Sequence, residues 1–295
     1  MSVMKEQLRN IALATSLLAT TTACSSSEKA APETLPQTPT TLTIPSLETM
    51  DPFTPYKLND ATYYSVFKKT VEEAVQTFTG AVGCSTSVVV KLGNDSNTNN
   101  EITPASAVRG VITINQYYNP AIQETNGLAT NRLPLPLLVH TGLHEAAHAC
   151  EGEPKPINIL MDTQKNTKIV RVEGLNLFTD LPLKDGREPR ITLLEEAYAE
   201  VAADQVGGAS VEDINEGLLG QRIPISQMYS SLRDELLKVL TETGISVKDL
   251  VHFHQTSNFY GLMQRVYATE QPTNQQIVAF ISRFSVAAGF SSLPG

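Results

Sequence analysis

The chain has 295 residues, 41% hydrophobic and 18% charged, and a formal net charge of -9 at pH 7. Such a composition belongs to a globular protein, and the length suits one to two domains. The acidic balance argues against a nucleic-acid partner, which needs a basic footprint, and no apolar run is long enough to span a bilayer.

The N-terminus reads as a targeting segment. Lys5 and Arg9 give a basic start, and residues 11–23 are apolar or small. The run ends in Thr21-Thr22-Ala23-Cys24, followed by Ser25-Ser26-Ser27. This resembles a bacterial lipoprotein signal, with residues 1–23 removed and Cys24 lipidated. Thr21 stands where such signals usually carry Leu, so an ordinary secretory signal cut near Ala23 is the alternative. The resemblance implies an extracytoplasmic protein anchored to a bacterial membrane through Cys24. Residues 24–58 are rich in Ser, Thr and Pro and read as a tether. Cys84 and Cys150 remain, an even number in a compartment that permits disulfides. A Cys84–Cys150 bridge is expected, with two buried free thiols as the alternative.

The folded part is expected near Ala61. Tyr64, Phe67, Val71, Ala74 and Phe78 recur at helical spacing, with Gly80 and Gly83 marking the helix end. Residues 87–92 form a β-branched run and 111–115 a second strand, separated in part by an Asn-rich loop over 93–100. A helix starts near Pro136, runs through His148 and stops by Gly152. Residues 157–161 and 168–172 read as a hairpin, 180–189 as loop and 191–206 as a helix closed by Gly207-Gly208. Further helices follow at about 211–219, 225–243, 246–267 and 273–288. The order implies a helix-rich α+β fold, with a core over 59–208 and a C-terminal helical subdomain over 209–295 packed on it.

The helix from Pro136 carries His144-Glu145-Ala146-Ala147-His148, of the form H-E-x-x-H. Residues i and i+4 share one helix face, so His144 and His148 can bind one metal ion from the same side. Glu145 between them can serve as general base on a water activated by that ion. The chain has only five histidines, which makes a chance match rare. His140 lies one turn earlier, but the drift of a helix carries it away, so a supporting role is expected rather than ligation.

A catalytic zinc site takes three protein ligands and leaves one position open. Glu151 and Pro154 occupy the positions that would be Gly and His in H-E-x-x-H-x-x-G-x-x-H, which excludes that pattern. The third ligand must come from elsewhere, and Glu195, Glu196 and Glu200 on the alanine-rich helix are the candidates. Here the chain resembles the gluzincin metallopeptidases, in which a downstream helix of the form E-x-x-A-[DE] gives zinc a glutamate. Glu196-Ala-Tyr-Ala-Glu200 fits this form, and Glu200-Val-Ala-Ala-Asp204 fits it in a second register. The first register implies zinc held by His144, His148 and Glu196, with Glu200 orienting a ligand histidine. The resemblance implies a zincin-like core and hydrolysis of a peptide or protein substrate. His254, His252, Tyr198 and Tyr260 are the candidates for stabilising the oxyanion. The strand at 111–115 is the expected edge for an extended peptide. A catalytically silent zincin-like lipoprotein, acting as a binding or scaffold module, is the competing reading.

Overall fold

A computed structural model describes residues 51–93, 104–116, 132–153, 157–162, 167–179, 190–191, 193–219 and 227–289. The signal, Cys24, most of the tether and nearly all of the loops expected at 93–100 and 180–189 lie outside those residues. The described part is helix-rich, with eight α-helices and two small sheets. None of these helices is long and apolar enough to cross a membrane.

Helix α1 spans Asp60–Val82. The Asn59 side chain accepts from the Thr62 N–H at its start, and Gly83, at φ 74°, ends it in the left-handed region. Tyr64, Phe67, Val71, Ala74 and Phe78, the predicted apolar stripe, are all buried. Gly80 lies inside the helix rather than at its end.

Strands β1 (Val89–Gly93), β2 (Ala105–Val108) and β3 (Val111–Asn115) form a sheet in the order β1-β3-β2. β1 runs parallel to β3 and β2 antiparallel to it. This corrects the expectation that residues 111–115 are a substrate-binding edge. β3 is the central strand, and its hydrogen-bonding groups face β1 and β2 on either side, so it cannot accept a further strand. The outer strands are β1 and the short β2, which composition did not predict.

Helix α2 (Leu135–Ala149) carries the H-E-x-x-H motif, with Pro136 in its first turn. Its cap residue Cys150 is disulfide-bonded to Cys84, just beyond α1, with the Cα atoms 5.5 Å apart. Gly142 lets α1 and α2 approach closely. A Cβ there would lie 2.7 Å from the Ala74 Cβ and 3.1 Å from the Val71 Cα.

The predicted hairpin is part of a larger meander. β4 (Ile157–Asp162), β5 (Thr167–Glu173), β6 (Asn176–Thr179) and β7 (Arg190–Ile191) pair antiparallel in chain order. Gly174 and Leu175 connect β5 to β6, with Gly174 at φ 59° and Leu175 fully buried.

Helix α3 spans Leu193–Gly207. It is followed by α4 (Val211–Leu219), α5 (Gln227–Thr243), α6 (Val247–Gln255), α7 (Phe259–Tyr267) and α8 (Asn274–Ala287). The single helix expected over 246–267 is therefore two. Ser257 turns to φ 49°, and the Asn258 side chain accepts from the Gly261 N–H to start α7. The break is docked on the segment after the motif helix. A Cβ on Gly152 would sit 1.7 Å from the Gln255 carbonyl oxygen.

The folded region begins earlier than composition suggested. Residues 54–57 form a 3-10 turn with Pro55 buried, and the Leu135 N–H donates to the Pro52 carbonyl at 3.0 Å. Arg132 donates to the Leu58 carbonyl and pairs with Asp60 at 2.6 Å. Arg132 thus ties down carbonyls of residues 55–58 that Pro-rich composition had assigned to solvent. One hydrophobic core takes side chains from α1, such as Phe67 and Phe78, through to Phe280 and Phe284 of α8. The described helices after residue 209 share that core with the described part of 59–208.

Candidate metal centre

Helices α2 and α3 pack antiparallel, and alanines make the contact close. Ala146, Ala147, Ala197, Ala199, Ala202 and Ala203 are all inaccessible to solvent. Each helix then presents a ladder of polar side chains at i, i+4, i+8 spacing. His148, His144 and His140 on α2 face Glu196, Glu200 and Asp204 on α3.

The first trio is tight. His144 Nε2 and His148 Nε2 are 3.1 Å apart, and Glu196 Oε2 lies 3.3 Å from the former and 3.4 Å from the latter. A tetrahedral zinc ion with bonds of 2.0–2.1 Å separates its ligand atoms by about 3.3 Å. The triangle matches three corners of that tetrahedron. Of the three carboxylates that the sequence left open as third ligand, Glu196 alone faces both Nε2 atoms.

Glu195 and Glu200 address the opposite ring nitrogens. His148 Nδ1 is hydrogen-bonded to Glu195 Oε1 at 3.0 Å. His144 Nδ1 lies 3.0 Å from Glu200 Oε1, off the line of an ideal hydrogen bond. A carboxylate at Nδ1 holds the proton there and leaves Nε2 as a lone-pair donor. Two such lone pairs and a carboxylate oxygen then converge within 3.4 Å. They repel unless positive charge stands among them.

The titration of the site expresses the same demand. Burial would lower His148, but hydrogen bonds to Glu195 and Glu196 push it up to about 10. His144 is raised well above its ordinary value against the same burial, by Glu200 and Glu196. Burial would raise Glu196, and the two imidazoles hold it well below the usual carboxylate range. Glu200 is brought down to about 2 against burial, by His144 and His140. Glu145, 8% exposed, is raised by burial, with the imidazoles opposing and Glu196 and Glu200 adding to the shift.

His140 does not join the first trio. Its Nε2 lies 3.1 Å from Asp204 Oδ1 and 3.8 Å from Glu200 Oε2. Burial raises Asp204, while His140 and Arg233 oppose the shift.

The oxyanion candidates are corrected by their burial. His252 and Tyr260 are exposed, and no contact around the trio involves them among the described residues. Tyr198 and His254 stack on each other at 4.2 Å and are fully buried, so neither meets a peptide arriving from solvent. Burial also lowers His254 to about 4. The sequence reading missed Tyr229 of α5. Its ring stands edge-on to His144, with centroids 6.4 Å apart. Burial, and then Glu196, Glu200 and Glu145, raise its phenol above the ordinary value. Nothing in spacing or composition marks a tyrosine so far along the chain.

No family model, curated protein or solved structure matches this chain.

Proposed function

We propose that this chain is a zinc-dependent metallopeptidase with a gluzincin-like site and a zincin-like core. The observation that carries the reading is the convergence of His144 Nε2, His148 Nε2 and Glu196 Oε2 at ligand spacing around one point. Three protein ligands leave the fourth position for water and substrate, as in catalytic rather than structural sites. When bound, zinc supplies Lewis acidity toward the scissile carbonyl and draws the pKa of a water toward neutrality.

The chain's own groups do the rest. Glu145 takes a proton from the attacking water and returns it to the leaving amine; its raised pKa suits both directions of transfer. Glu195 and Glu200 keep the ligand imidazoles in the tautomer that directs Nε2 at the ion. Tyr229 keeps its phenolic proton near neutral pH, and a hydroxyl on a ring beside His144 would be the donor to the developing oxyanion. Export and anchoring through Cys24 belong to the same reading. The Cys84–Cys150 disulfide supports it, because such bonds persist in oxidising compartments.

The deciding experiment is Glu145→Gln, assayed on a peptide library with a chelator control. Wild type is expected to cleave and to lose activity on chelation. The variant is expected to keep its zinc and lose roughly 100- to 10,000-fold in rate. A variant that cleaves like wild type removes Glu145 from the mechanism. A wild type that binds zinc without turnover leaves a silent binding module.

A further inference from the structure

We propose that His140, Glu200 and Asp204 form a second divalent-cation site, one helical turn along from the first. The donor set consists of His140 Nε2, Glu200 Oε2 and Asp204 Oδ1, all within 4.8 Å of one another. The nitrogen stands 3.1 Å from the aspartate oxygen and 3.8 Å from the glutamate oxygen. An ion with bonds of about 2.0–2.2 Å sets its ligand atoms about 3.3–3.6 Å apart, so the nitrogen and the aspartate oxygen already stand close enough and the glutamate oxygen has to move inward. One imidazole with two carboxylates suits zinc or a similar transition ion, whereas calcium prefers oxygen alone.

Geometry and charge argue for occupancy. His140 Nε2 can carry one proton, which serves Asp204 and leaves Glu200 Oε2 without an aligned donor from that ring. Among the described residues the surroundings are also short of cations. Glu145, Glu196, Glu200, Asp204 and Glu212 are all 20% exposed or less. Among the described residues Arg233 is the guanidinium that reaches into this group, 3.6 Å from Asp204 Oδ2 and in contact with Glu212. With neutral imidazoles, five carboxylates against Arg233 and one divalent ion leave two negative charges at and beside the helix interface. A net charge buried this way is costly, and a second divalent ion balances it. Arg233 neutralises the outer oxygen of Asp204 and leaves Oδ1 turned inward toward His140.

Glu200 links the two sites. Its Oε1 faces His144 Nδ1 and its Oε2 faces the second site. An ion held there fixes Glu200, and through it the ring orientation of His144. His140 and Asp204 are then positioning residues for the first site. Binding at either site strengthens the other by the same factor. The inference goes beyond the peptidase reading and does not require turnover.

The test is zinc stoichiometry on the full chain, stripped with chelator, dialysed at neutral pH against buffered zinc and counted by elemental analysis. Wild type should hold two zinc ions. His140→Gln and Asp204→Asn should each hold one, and His148→Gln should keep one. In cobalt-substituted protein, both second-site variants should also shift the visible absorption of the remaining ion, because His144 loses its fixed orientation. Thermal melts of both variants show whether each is folded. One zinc in wild type, unchanged in folded His140→Gln and Asp204→Asn, overturns the second site and leaves the first standing. Two zinc ions in all three proteins place the extra ion elsewhere and overturn it too. No zinc in wild type removes both sites.

Discussion

Glu195, Glu196 and Glu200 meet different imidazole nitrogens from α3, and single substitutions should separate their proposed roles. Glu196 faces both ligand imidazoles at 3.3 and 3.4 Å, so Glu196→Gln should abolish stoichiometric zinc under conditions that saturate wild type. Glu195→Gln and Glu200→Gln each remove a partner of Nδ1, so each should weaken zinc at the first trio by roughly 10- to 100-fold. Competition with a zinc chelator of known affinity measures all three. Retained stoichiometric zinc in Glu196→Gln would move the third ligand to a neighbour. The protons of the site give a second prediction at this scale. His148 is raised from 6.5 to about 10, so in chelated protein its pairing stabilises the fold fully below pH 6.5 and is lost as pH rises through about 10. Zinc needs the unprotonated rings, so its affinity should fall as pH is lowered and its binding should release protons. Thermal melts across pH should therefore trend in opposite directions with chelator and with zinc. Calorimetric heats of zinc binding at pH 7 should vary with the ionisation enthalpy of the buffer. Heats independent of the buffer would mean that no proton leaves.

Elements were legible wherever a local pattern carries the information. The stripe from Tyr64 to Phe78, Pro136 in the first turn of α2 and the alanine-rich run of α3 each announce a helix, and each helix is there. The i, i+4 spacing of His144 and His148 also announced that their rings stand together, and their Nε2 atoms are 3.1 Å apart. What the sequence left open depends on partners distant along the chain. Choosing among Glu195, Glu196 and Glu200 requires the rotation of α3 against α2, which alanine packing sets and spacing does not. Strand β2 is Ala-Ser-Ala-Val, with little β-propensity of its own, and exists because β3 offers it a partner. Placing it turned the supposed edge strand into a central one. The break between α6 and α7 was illegible for a similar reason, since it answers to Gly152 across the fold. Gly152→Ala puts a methyl 1.7 Å from the Gln255 carbonyl oxygen, and backbone cannot rotate aside as a side chain would. The expected loss is about 1–3 kcal/mol, the usual range for overpacking. Chemical denaturation of the zinc-loaded protein measures it. An unchanged midpoint would mean that the α6–α7 junction yields freely.

At the scale of the whole molecule, three layers meet on α2. α1 packs on one side through Gly142, α3 on the other through alanines, and the α6–α7 junction closes on its exit at Gly152. The motif helix is therefore held on several sides by packing alone, which would preorganise the proposed site. The Cys84–Cys150 bond adds a covalent clamp at the end of that helix, two residues beyond His148. Its sequence separation is 66 residues. Closing a loop of that length lowers the entropy of the unfolded chain, a stabilisation of about 4 kcal/mol in the chain-entropy model. The loop contains the first sheet and all of α2, so the gain falls on the part of the fold that carries His144 and His148. Cys84→Ser with Cys150→Ser should lower the melting temperature clearly with or without zinc. It should weaken zinc less than Glu195→Gln does, because the ladder between α2 and α3 remains. If the double variant melts with wild type, the clamp carries no stability. If it loses zinc while staying folded, the end of α2 is held by the bond and not by its packing against α3.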